Sequence, residues 1–219
     1  MTLYLSGGGC GEDSKELDKK FIKEIKNKKP ILYIPLAREP PYKSCLNWIK
    51  SNFLPLEFHN FKMVESAEEL KNINLEDYSG IYIGGGNTYK LLNELKSADF
   101  LQILKKFIES NRIVYGGSAG AIILGKNIST TNDKNVIKIK DFSGLNEVGN
   151  FSIYCHYNKS EKKNVERKFN NNNISIIALP EKVGLIIKKG KCNIVGKESA
   201  FIFNGENWIE FPPSKEIDL

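Results

Sequence analysis

Short apolar runs alternate along the first half of the chain with stretches whose apolar positions recur every three or four residues. Residues 3–5 read as a strand. Leu17, Phe21, Ile22 and Ile25 then share one face of a helix, with Asp13 or Ser14 as its cap and Glu16 spaced for a capping box with Asp13. Residues 31–35 have the pattern of a buried strand, residues 44–52 that of a helix and residues 61–64 that of a strand. Residues 80–83 follow as a strand, and Gly84-Gly85-Gly86-Asn87-Thr88 opens the next helix. Phe100, Leu101, Ile103, Leu104, Phe107 and Ile108 mark an amphipathic helix before the strand at 112–115. Alternation of this kind predicts parallel strands with helices on both faces.

Beyond Gly125 the pattern loosens. Residues 136–139, 152–155, 174–178, 184–187, 192–195 and 200–203 have β-type composition, interrupted by a polar helix at 160–170 and a turn or loop at 170–173. No linker composition and no internal repeat divides the chain. The expectation is one α/β domain over residues 1–219: three layers, doubly wound, mostly parallel, with extra strands in the C-terminal part.

Charge changes this picture little. Lys and Arg number 32 against 26 Asp and Glu, a net charge of +6. The lysines are scattered in pairs such as Lys19-Lys20, Lys105-Lys106 and Lys162-Lys163, with no dense basic run interleaved with aromatics, so no nucleic-acid partner is expected. No apolar stretch is long enough for a membrane helix, and residues 1–9 read as a strand and turn, not a secretory leader. A cytoplasmic protein is expected, which suits four cysteines without CxxC or Cys/His spacing. Two histidines exclude a three-histidine metal site, and any mechanism that needs a histidine must use His59 or His156.

Gly116-Gly117-Ser118-Ala119-Gly120 matches G-x-S-x-G, with a β run before it and the apolar helical run 121–124 after it. A tight strand-to-helix turn of this type lifts the serine hydroxyl above the carboxyl edge of the sheet. It also aims the Ala119 N–H, at a helix N-terminus, toward an oxyanion. The same residues could be a glycine-rich turn with a capping serine, but the flanks favour a nucleophile. Residues 120–126 imitate the start of a P-loop, yet Asn127 stands where Ser or Thr should bind magnesium, and the intervening residues are apolar. The Gly84–Thr88 turn reads both as a helix entry with Asn87 as cap and as a second oxyanion donor through Gly85 or Gly86.

A serine nucleophile needs a base. His59 precedes the strand at 61–64 and so falls on its amino edge, the wrong one. His156 closes the run 151–155 and is the expected partner of Ser118. A carboxylate should orient the imidazole. Between Ser118 and His156 the acidic residues are Asp133, Asp141 and Glu147, and spacing leaves all three open.

At these residues the sequence resembles the peptidase E (aspartyl dipeptidase) family of serine peptidases, which includes cyanophycinase-like enzymes. The pieces are Gly84 through Leu92, then Gly117-Ser118-Ala119-Gly120-Ala121, then Thr130-Thr131-Asn132-Asp133, then His156-Tyr157, in order. The resemblance implies a class I glutamine amidotransferase-like (flavodoxin-like) fold with Ser where amidotransferases carry Cys. It implies a triad of Ser118, His156 and Asp133, an oxyanion hole from Gly85 or Gly86 with Ala119, and no metal or cofactor. The implied substrate is a dipeptide or short peptide, cleaved after N-terminal Asp. Asn87 and Thr88 are candidate substrate contacts. The stretch 158–167 departs from the family pattern, and Arg167 within it is the candidate reader of an aspartate side chain. An esterase or amidase with the same triad, or a non-catalytic relative binding a small ligand in the same cleft, are the alternatives.

Overall fold

Alternation within the strands decides which side chain meets which layer. The computed structural model describes residues 1–25 and 29–219. The strands β1 (Thr2–Ser6), β2 (Ile31–Ile34), β3 (Phe61–Met63), β4 (Gly80–Ile83) and β5 (Ile113–Gly117) are parallel, and run β1-β5-β4-β2-β3 across the sheet. Strands β8 (Val183–Lys188), β9 (Lys191–Gly196) and β12 (Glu216–Asp218) extend the β1 edge antiparallel. On one face Leu3, Leu5, Leu32, Ile34, Ile81, Ile83 and Val114 meet α4 (Thr88–Ser97), α5 (Phe100–Glu109) and α6 (Ala119–Leu124). On the other, Tyr4, Ile31, Tyr33, Tyr82 and Tyr115 meet α1 (Lys15–Glu24) and α2 (Lys43–Phe53) through Leu17, Phe21, Ile49 and Phe53. Residues two apart share a face, and the two clusters divide the same strands accordingly. This is the mostly parallel α/β sheet, helices on both faces, that the pattern predicts.

Register aligns four tyrosines across the second face: Tyr4 pairs with Tyr115, Tyr115 with Tyr82, and Tyr82 with Tyr33. Tyr82 and Tyr115 stack with centroids 4.4 Å apart. Asp18 of α1 is buried beside this row. Its Oδ1 accepts from the Tyr115 hydroxyl and its Oδ2 from Ser14 Oγ, each at 2.7 Å. Ser14 is the first-turn cap residue but makes no side-chain capping bond, so the expected capping box is replaced by this buried pair.

A second, four-stranded sheet runs β11 (Trp208–Phe211), β10 (Ala200–Phe203), β7 (Ile176–Leu179), β6 (Ser152–Cys155). Only β6 and β7 are parallel in it. Helix α7 (Lys162–Asn172) covers it through Val165, which packs with Tyr154, Tyr157, Ile176 and Phe203. Three expectations are corrected. Residues 136–139 form a turn, not a strand; Val136 and Ile137 are 69% and 40% exposed, so their apolar character finds no sheet to join. The asparagines at 170–173 are not a free loop: α7 continues through Asn172, and Asn173 ends it in the left-handed conformation (φ 51°). A short helix α3 (Ala67–Lys71), β11 and β12 went unanticipated.

Candidate active site

The elbow forms because its glycines are in contact with backbone. A Cβ on Gly116 would lie 2.6 Å from Gly120, and a Cβ on Gly120 only 2.3 Å from the Ile83 carbonyl oxygen. Between them Ser118 has φ 49° and ψ −108°, a region that costs a residue with a side chain on the order of 1–3 kcal/mol. The strain holds its Oγ at the end of β5, where α6 begins.

The turn after β1, residues 7–9, clamps the rest. The Ser118 N–H donates to the Ser6 carbonyl (3.1 Å) and the His156 N–H to the Gly7 carbonyl (2.8 Å). The Gly9 N–H donates to the Glu181 carbonyl (3.2 Å), and the Gly7 N–H to that of Val183 (2.9 Å). Three chain segments are thereby tied to Ser6, Gly7 and Gly9. Gly8 (φ +120°) leaves room for the imidazole: a Cβ there would lie 2.2 Å from His156 Cε1. His156 itself has φ 56°, just beyond the end of β6.

These ties produce one line of hydrogen bonds. His156 Nε2 is 2.8 Å from Ser118 Oγ, and His156 Nδ1 is 2.8 Å from Glu181 Oε1. A carboxylate only accepts, so Nδ1 carries the proton and Nε2 is free to accept from the serine hydroxyl. The carboxylate at Nδ1 is thus Glu181, not the expected Asp133. Asp133 Oδ2 instead accepts from the Thr88 N–H, Thr88 Oγ1 and Thr131 Oγ1, each at 2.7 Å. Glu181 follows β7, 25 residues beyond His156, outside the interval between Ser118 and His156. Glu181 and the His156 ring are half exposed.

Two clefts meet at the Ser118–His156 pair. The first, about 440 Å³, is bordered by the Tyr33 and Tyr82 end of the tyrosine row and by Ser44, Cys45 and Trp48 of α2. The second, about 680 Å³, is lined by Asn87, Thr88, Thr130, Thr131, Asn132 and Asp133. Gly86 and Arg38 border both. Gly85 lies against the nucleophile: a Cβ there would be 3.2 Å from Ser118 Cβ. The turn is pinned at its ends by Gly84 N–H to Ile34 O and Asn87 N–H to Ala37 O, with Gly85 and Gly86 between them. Ala119 is fully buried in the first turn of α6.

The expected substrate contacts divide. Asn87 caps α4, its Oδ1 accepting from the Lys90 N–H, and its Nδ2 donates to the Lys134 carbonyl. The Thr88 side chain is buried and spent on Asp133. Arg167 is exposed on α7, donates to Asn164 Oδ1 and borders neither cleft. The arginine at the clefts is Arg38, whose Nε donates to the Gly85 carbonyl. Sequence reading passed over it because it stands in an irregular connection between β2 and α2. His59 lies exposed before β3, away from the site. Among the described residues no group of three or more His, Cys, Asp or Glu could hold a metal ion, and no helix is long and apolar enough to cross a membrane.

An α/β sheet whose strained strand-to-helix turn sets a serine against a histidine has the build of a serine hydrolase. The chain belongs to peptidase family S51, whose model matches residues 2–195, and it is a serine peptidase acting on peptides. It is 27% identical over 212 residues to a peptidase E of Shewanella denitrificans, covering 91% of this chain and 88% of that one. It is 27% identical over 235 residues to a peptidase E of Nostoc, covering 100% and 95%. Among solved structures, a peptidase from an acI-B1 Actinobacterium superposes with a TM-score of 0.74 at 20% identity, covering 100% of this chain and 96% of that one. A Listeria monocytogenes structure assigned as peptidase E gives 0.67 at 23%, covering 90% and 98%. At these identities the structural likeness speaks for the fold.

Proposed function

We propose that the chain hydrolyses dipeptides or short peptides through an acyl-enzyme on Ser118, with His156 as base and Glu181 as the carboxylate that orients it. His156 Nε2 takes the Ser118 proton as Oγ attacks the peptide carbonyl. Glu181 holds the Nδ1 proton and stabilises the imidazolium. The Ala119 N–H, at the start of α6, and that of Gly85 or Gly86 receive the oxyanion. His156 then protonates the leaving amine, and water, deprotonated by the same imidazole, releases the acid. The observation that carries this reading is the unbroken line Glu181–His156–Ser118, at 2.8 and 2.8 Å, on a strained elbow.

Cleavage after N-terminal Asp requires a cation for that side chain. Arg38, not Arg167, is the side chain available to it, because Arg38 borders both clefts. A dipeptide-library digest read by mass spectrometry, with Ser118→Ala as control, tests both statements. Dipeptide cleavage that vanishes in Ser118→Ala is expected, as is selective loss of Asp-Xaa products in Arg38→Ala. Ester turnover with no dipeptide cleaved would make the chain an esterase on the same site.

A further inference from the structure

The four tyrosines of the row do not end alike. The Tyr4 hydroxyl donates to the Lys20 carbonyl and to Glu24, that of Tyr115 donates to Asp18, and that of Tyr82 turns to Tyr115. The Tyr33 hydroxyl makes no hydrogen bond with any described residue, although Tyr33 is only 3% exposed. Among the described residues no side-chain oxygen sealed from solvent lacks a partner, so this hydroxyl opens on the first cleft, which Tyr33 borders. We propose that the first cleft binds a tyrosine side chain of the peptide and that Tyr33 selects it by pairing with its phenol; this names the substrate of the peptidase reading above and rests on it.

The cleft suits an aromatic ring with a neutral polar end. Its volume of about 440 Å³ is that of a small-ligand site, and five of its bordering residues are glycines, which put no side chain into it. Trp48 and Tyr82 border it as aromatic surfaces, and rings of this kind attract a further ring beyond the area they bury. The ionic side chains Arg38 and Glu39 on its border are engaged, Arg38 with the Gly85 carbonyl and Glu39 with Lys90 at 3.0 Å. Burial holds the Tyr33 phenol above its ordinary range, so it keeps its proton and donates while its oxygen accepts. A substrate phenol has the same two capacities.

Reach fits one side chain. A Cβ on Gly84 would lie 3.2 Å from the Tyr33 hydroxyl, and one on the next residue, Gly85, 3.7 Å from Ser118 Oγ. Neighbouring Cα atoms are about 3.8 Å apart, so the hydroxyl and the nucleophile are close enough for one residue of the scissile pair to bridge. An aspartate read by Arg38 on the other side of the bond is compatible with this, because Arg38 borders the second cleft as well. A phenylalanine in the first cleft would leave the Tyr33 hydroxyl covered and unpaired, which is how a site built for a hydroxyl rejects the analogue that lacks it.

The experiment is a cycle on the full chain: wild type and Tyr33→Phe, each with the best-cleaved tyrosine dipeptide of a library and its phenylalanine counterpart. Each change deletes one oxygen, and Tyr33→Phe keeps the edge-on ring contact with Tyr82 at 5.7 Å. Wild type should favour the tyrosine dipeptide about 30-fold in kcat/KM, chiefly through KM, and Tyr33→Phe should bring the ratio near one. Alanine-containing dipeptides and fluorophosphonate labelling of Ser118 should be unchanged in Tyr33→Phe. No preference in wild type, or the same preference in Tyr33→Phe, overturns the assignment. Should Tyr33→Phe not fold, wild type alone decides: equal turnover of the two dipeptides overturns it. Calorimetric binding of the same two dipeptides to Ser118→Ala separates this assignment from the peptidase reading. Tighter binding of the tyrosine dipeptide, by a chain whose wild type cleaves neither, removes the peptidase reading and leaves the cleft assignment standing. Cleavage of both at equal rates does the reverse, and a chain that neither binds nor cleaves them loses both.

Discussion

In the proposed mechanism His156 is the base, and its orientation depends on two neighbours, Glu181 and Gly8. Glu181 reaches His156 Nδ1 from a half-exposed position, where solvent screens much of its charge. In the proposed mechanism its contribution is mainly to hold the tautomer. Glu181→Gln, whose amide can turn a donor toward Nδ1, should cut kcat by about 10²–10⁴ with KM little changed. Steady-state kinetics on one dipeptide checks this, and an unaltered kcat would take Glu181 out of the mechanism. Gly8 is the second dependence. Its Cβ would fall within 2.2 Å of the imidazole, and its φ of +120° suits no other residue well. Gly8→Ala should cost at least about 100-fold in kcat by displacing the ring. The circular dichroism of the fold should survive, because the contact is with a side chain at the surface. A variant with full activity would show that the ring moves aside freely.

At the scale of elements, the sequence was readable where function and local geometry coincide. The strand β5, Ser118 and α6 appear in the chain as a β run, a glycine-framed serine and an apolar helical run, because the turn itself demands those residues. The carboxylate was not readable in this way. Glu181 meets His156 only because β6 and β7 pair in a second sheet whose carboxyl ends meet residues 7–9. No spacing rule within the interval Ser118–His156 contains that pairing. Apolar alternation at 136–139 misled for the opposite reason, since among the described residues no strand pairs with it. Helix α2 shows what amphipathicity alone conceals. Its buried face carries Ile49 and Phe53, while Ser44 and Cys45, with Trp48 one turn later, border the first cleft. Trp48 is 39% exposed and borders the same cleft as Tyr33 and Tyr82. Trp48→Ala should therefore raise KM up to about 10-fold for dipeptides with one large apolar residue and leave Ala-containing ones unchanged. Equal changes across a substrate series would mean that the cleft does not receive a side chain.

The whole molecule joins the two sheets at the site and places the one deeply buried carboxylate among the described residues elsewhere, under the tyrosine row. Asp18 is buried on α1 against Ser14 and Tyr115 of β5, and burial pushes its carboxyl up to about 6, only partly offset by the hydrogen bonds from those two side chains. In the unfolded chain an aspartate titrates near ~4. Between those values the folded chain keeps a proton that the unfolded chain has released. Stability from this group is therefore full below about 4, falls as pH rises to about 6, and stays lower above it. Two pH units correspond to about 3 kcal/mol. Asp18→Asn removes the titration while its side-chain oxygen still accepts from Tyr115, so its advantage over wild type should grow by up to that amount between pH 4 and 7. Urea unfolding of both proteins at matched pH values measures the difference directly, free of the many carboxylates they share. Parallel curves would mean that water reaches Asp18 in the folded state and that the tyrosine row is not the dry layer its register builds.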